Sequence, residues 1–167
     1  MDTKTLLAAM DFSRNRLLGT LDGVERLARE RSADVRTILA FRPAPGRAHV
    51  GWQFAHCAAT HDKYLNVNLL GKPAANDPQL VTTFGGGSTP ADDQVPDVAT
   101  IRKALESTYA ALRNYVATAD QAELARTIPG PNNTTRTIAE AMTLLTWHEA
   151  HHQGQIHLTL NLFKARA

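Results

Sequence analysis

The residues whose types and spacing could do chemistry are His148 and His152, in the stretch Trp147-His-Glu-Ala-His-His-Gln-Gly-Gln155. Four residues apart on a helix, they stand about 40° from each other on one face. Leu144, Leu145, Ile156 and Thr159 project from the same face, which makes it the buried one. Two imidazoles stacked one turn apart among apolar neighbours can chelate a divalent metal ion. The plainer reading of such a pair is two core histidines, each hydrogen-bonded to something else.

A metal site in a helical bundle draws its ligands from facing helices. The best third donor is His56, in Gly51-Trp-Gln-Phe-Ala-His-Cys-Ala-Ala-Thr60, where small neighbours would let another helix approach closely. Three histidine ligands leave positions for water or substrate, as catalytic rather than structural ions require. Trp52 and Thr60 near His56, and Gln155 seven residues past His148, are candidates to line the pocket. His61 lies about 140° around the helix from His56 and could line only an adjoining wall or the surface. His151 is about 100° from His152 and reads as a flanking residue. Cys57 points about 100° away from His56 and reads as core.

His148-Glu149-x-x-His152 also has the form of the zinc-peptidase signature, with Glu149 as the candidate catalytic base. The context argues against a peptidase. No Asp or Glu follows His152 to supply a further acidic ligand, and Gly154 and His157 do not fall at the alternative spacing. No strand is evident to hold an extended peptide.

These side chains need long helices to position them, and the apolar spacing predicts four. The first spans residues 3–30, with Leu6, Met10, Leu17, Leu21, Val24 and Leu27 as its stripe and Arg14, Arg16, Arg26 and Glu30 off it. Residues 32–39 hold one or two more turns. The second helix runs from His49, a poor N-cap type, to about Leu70. The third runs from about Asp97 to Ala117, and the fourth from Thr137 to Lys164 behind a Thr-x-x-Glu capping box. Residues 71–96 read as a long irregular loop, and 119–136 as a short turn with Asn132–Thr135 leading into the last helix. The expected fold is an all-α four-helix bundle with long loops after helices two and three, as one domain over 1–167.

Composition narrows the function. The 167 residues carry 18 basic and 16 acidic side chains, a net charge of +2 without a basic run, which disfavours nucleic-acid binding. One cysteine excludes an intrachain disulfide framework. The absence of a signal-like start or a long apolar span leads to the expectation of a cytoplasmic protein that does not enter a membrane.

The joint pattern resembles the DinB-like (damage-inducible) superfamily of metal-binding four-helix bundles over nearly the whole chain. Pro43-Ala-Pro-Gly-Arg47 followed by Gly51-Trp52 and His56-Cys-Ala-Ala-Thr60 is similar to the family's second-helix motif, whose histidine is the first ligand. His148-Glu-Ala-His-His152-Gln-Gly-Gln155 is similar to its fourth-helix motif, which supplies the other two. Two departures stand out: Gln153 replaces a usual arginine, and His61 a common acidic residue. The resemblance implies an up-down-down-up bundle, a homodimer, and one divalent ion such as zinc or nickel at His56, His148 and His152. It further implies a thiol S-transferase, or a related hydrolase, acting on a small-molecule substrate with a low-molecular-weight thiol as cosubstrate. The alternative is a non-catalytic, metal-binding helical dimer serving a stress response, with a fourth ligand such as His61 closing the shell.

Overall fold

A computed structural model of the chain describes residues 2–130 and 134–166. Helix α1, Thr3–Glu30, starts where the Asp2 carboxylate accepts from the Thr5 amide, and it buries the predicted stripe from Leu6 to Leu27. Arg14, expected off that stripe, is buried within it. A short helix α2, Val35–Ala40, follows behind Asp34.

Helix α3, Val50–Asp62, is capped by His49, whose Nδ1 accepts from the Trp52 amide at 2.9 Å. A histidine can therefore do the work of a short polar cap through its ring nitrogen. The helix continues as a π-helical stretch over Lys63–Leu69, and Gly71 leaves it at φ +63°.

The segment expected to be an irregular loop, 71–96, contains helix α4, Pro78–Phe84. Its start signals are conventional, Asp77 as cap and Pro78 in the first turn, but seven residues are too few to show a periodic stripe. Helix α5 spans Val98–Thr118 behind Asp97, and α6 spans Gln121–Ala125 behind Asp120. Strand β1, Thr127–Pro129, then pairs antiparallel with β2, Thr135–Thr137, with Thr127 opposite Thr137. This hairpin corrects the expectation of no strand; three residues a side cannot display alternation. Asn132 and Asn133 of the predicted lead-in lie outside the described residues, and Thr135 begins β2. Helix α7, Ile138–Lys164, begins with the capping box of Thr137 and Glu140, both halves of which form.

The long helices pack so that α1 and α7 run in the same sense. Ser13 meets Thr146, and Thr20 meets His157. Helix α5 runs opposite to α1, as Arg102 meets Asp22 while Tyr109 meets Asp11. Helix α3 runs opposite to α7, as Gln53 faces His152 while His56 faces His148. The chain is thus all-α apart from the small hairpin, among the described residues. No described helix is long and apolar enough to cross a membrane.

Candidate metal centre

His56 sits mid-way along α3 and is 9% exposed. Its Nδ1 lies 2.7 Å from the Phe84 carbonyl, so that nitrogen donates and Nε2 carries the lone pair. Phe84 ends α4, where the last carbonyls have no partner inside the helix and are free to accept. Trp52, one turn back on α3, stacks on the His56 ring with centroids 4.4 Å apart and planes 11° from parallel.

Nε2 of His56 points at α7, where Nε2 of His148 lies 3.2 Å away. One turn further along α7, His152 turns its Nδ1 to Oε1 of Gln53 at 3.4 Å, and the Gln155 side chain also reaches its ring. The ligand atoms of His56, His148 and His152 all lie within 4.8 Å of one another. Two ligands at about 2.0–2.1 Å from a tetrahedral zinc ion stand about 3.3 Å apart, so the His56–His148 separation matches what one ion would hold. In its Nε2–H tautomer His148 can also donate to Nε2 of His56 across that distance. Nδ1 of His148, by contrast, is buried without a hydrogen-bond partner among the described residues.

Electrostatics keeps the cluster neutral. Burial lowers the pKa of all three rings, to about 4 for His148 and about 3 for His152, and the positive charge of neighbouring histidines lowers those two further. At pH 7 each ring therefore offers a lone pair, as a metal ligand must.

His56 and His148 also line a cavity of about 360 Å³, together with Thr60, Lys63, Tyr64 and Asn68. The turn after α4 and the end of β1 form its rim. Thr60 thus stands in the pocket wall and Trp52 behind the first ligand. His151 and Gln155 are exposed: the Gln155 amide meets Nε2 of His151 at 2.9 Å, and the His151 ring stacks on Trp147.

His61 and Glu149 are not brought to the cluster. Glu149, 1% exposed, points across the bundle into an ion pair with Arg14 of α1, itself 2% exposed. Burial raises the Glu149 carboxyl above the usual range, and the Arg14 charge offsets part of that. His61 completes this second buried group. Its Nδ1 accepts from Arg14 at 3.2 Å, and its Nε2 lies 3.5 Å from Glu149. Arg14 further donates to the Leu105 carbonyl at 2.5 Å and lies over the Tyr109 ring, so the network ties α1, α3, α5 and α7 together. Cys57 is wholly buried, and burial followed by the Glu149 charge pushes its thiol well above the usual range.

Three participants escaped the sequence reading. Arg14 falls between Met10 and Leu17 at helical spacing, so its place on the stripe was visible, though its charge argued the other way. Gln53 lies three residues before His56, on nearly the same face. The Phe84 carbonyl carries no sequence signal at all.

A family model described as the DinB superfamily matches residues 9–156. The chain therefore belongs to the DinB superfamily. No curated protein matches the chain significantly.

Proposed function

Taking that membership as the premise, we propose that His56, His148 and His152 hold one divalent metal ion, zinc or nickel, and that the protein is a metal-dependent thiol S-transferase. The observation that carries the reading is the convergence of three neutral imidazoles, two of which, His56 and His148, stand at the wall of a cavity. When bound, such an ion supplies the Lewis acidity that lowers the pKa of a thiol or water it coordinates.

The chain's own residues supply the rest. The Phe84 carbonyl and Gln53 fix the tautomers of His56 and His152, and Trp52 holds the His56 ring plane. No fourth His, Cys, Asp or Glu joins the three among the described residues, which supports positions open to an exchangeable ligand. Cys57 is buried away from the cavity with its thiol held protonated, so the nucleophilic sulfur has to come from a cosubstrate. In the reaction, the cosubstrate thiol gives its proton to solvent. Its sulfur then attacks an electrophilic carbon, and the C–S bond forms as the bond to the leaving group breaks with its electron pair. Glu149 is committed to Arg14 and is not offered the role of base.

Metal content of the purified, untagged protein tests the site, beside His56→Ala and His148→Ala. One equivalent that is lost in both variants supports it. Retention in His56→Ala would remove α3 from the ligand set, and a parent that stays metal-free after reconstitution with zinc or nickel would end the enzyme reading. Turnover of the loaded protein with a panel of low-molecular-weight thiols and a haloaromatic electrophile then tests the transfer.

A further inference from the structure

One wall of the cavity beside the histidines is formed by Lys63, Tyr64 and Asn68 of the π-helical stretch that continues α3. Such windings are rare and concentrate at functional sites. Here the winding has a specific effect. Lys63 and Asn68 are five residues apart and would stand about 140° from each other on an α-helix. At about 4.4 residues per turn they come within about 50°, and both line the cavity with Tyr64 between them. The winding is seen directly in the Leu70 amide, which bonds to the Leu65 carbonyl five residues back at 3.0 Å.

Lys63 is the only lysine, arginine, aspartate or glutamate among the described residues lining this cavity. Its ammonium has no ion-pair partner among the described residues. The adjacent carboxylate, Asp62, is fully buried and turned away. It accepts from the Asn66 side chain at 2.6 Å and from the amides of Ala75 and Asn76 at 2.9 and 2.7 Å. Thr60 and Asn68 add neutral hydrogen-bonding groups on either side of the lysine. A cavity whose described lining holds one cation, no carboxylate and flanking polar groups selects an anion over a neutral molecule of the same shape.

We infer that the π-wound wall is a carboxylate subsite: a substrate occupies the cavity with its carboxylate on Lys63 and its reacting atom toward His56 and His148. This rests on the metal-dependent reading above for the direction in which the substrate lies, and the test keeps the two separate. Full-length protein loaded with Co2+ is titrated with 3-mercaptopropionate and with 3-mercapto-1-propanol, read by sulfur-to-cobalt charge-transfer absorption. Benzoate and benzyl alcohol are compared in parallel by saturation-transfer NMR, which needs neither metal nor thiol. The acid binds about tenfold more tightly than the alcohol in both pairs, the size expected of one charge-assisted contact at a partly exposed site. Lys63→Gln brings both ratios to about one and leaves cobalt content and alcohol binding unchanged. Equal binding of acid and alcohol by the parent, or a preference that survives Lys63→Gln, overturns the subsite. Acid preference in the benzoate pair with no charge-transfer band from either thiol upholds the subsite and overturns the thiol reading.

Discussion

Replacing Glu149 by alanine separates a structural role for that residue from a catalytic one. The change leaves the Arg14 guanidinium 2% exposed, with the Leu105 carbonyl and Nδ1 of His61 as its remaining hydrogen-bond acceptors. Breaking a buried pair by removing one partner costs about 3–5 kcal/mol, because the other charge stays behind without compensation. For a chain of this length each kcal/mol moves Tm by roughly 2–4 °C, so a fall of about 6–20 °C is expected. Glu149→Gln, which keeps an acceptor but not the charge, falls in the lower part of that range. The double variant Arg14→Met/Glu149→Leu replaces both charges by apolar bulk and should lose less stability than Glu149→Ala. Urea unfolding followed by circular dichroism gives all four values. Metal content of the folded fraction of Glu149→Gln should equal that of the parent, since the three histidine ligand atoms do not touch Glu149. A loss of less than about 1 kcal/mol in Glu149→Ala would refute the reasoning. So would a variant that keeps its stability but loses its metal, for Glu149 would then belong to the cluster.

Other consequences follow from the same geometry. Gln53→Ala removes the acceptor that orients His152 and should weaken metal affinity about 10–100-fold with little change in fold, measured by competition with a chromophoric chelator. A Cβ at Gly85 would lie 2.5 Å from the Val81 carbonyl oxygen, so Gly85→Ala must shift the end of α4. The Phe84 carbonyl that holds His56 moves with it, and metal affinity should fall more than Tm does. Metal-stripped protein should lose stability on acidification. His148 and His152 have folded pKa values lowered to about 4 and about 3, so the stability they leave intact is fully present above about pH 6.5 and lost as pH falls through those values. The loss should be on the order of 3 kcal/mol for each ring, about 6 kcal/mol for the two, read from urea midpoints between pH 7 and pH 4, and metal-loaded protein at pH 7 should gain further stability by mass action.

How much could be read from the sequence depended on whether a signal was local and repeated. The four long helices announce themselves because their stripes recur over many turns and because Asp97 and the Thr137–Glu140 box mark two starts. The positions of His56, His148 and His152 follow from the same periodicity. What the sequence could not convey was contact between elements with no period of their own. Helix α4 is seven residues long, yet its last carbonyl sets the tautomer of His56. The hairpin pairs three residues with three. The π winding after Asp62 changes which side chains share a face without any change in composition, so α-helical angles misplace Asn68 relative to Lys63.

The H-E-x-x-H spelling in α7 illustrates the point with the most bearing on function. In a zinc peptidase the glutamate must reach a water on the ion held by the two histidines. On one straight helix, residue 149 is about 100° from residue 148, so its reach depends on what packs against that flank. Here α1 packs there, and the facing residue is a buried arginine that fixes the carboxylate for the interior. The histidines meanwhile face α3, where His56 supplies the third imidazole. One helix therefore carries two unlike chemistries on adjoining faces: a neutral cluster that suits a metal ion, and an ion pair that ties the bundle together. The motif states the residue types, but the neighbouring helices decide which face each one serves, and here they assign the glutamate to stability.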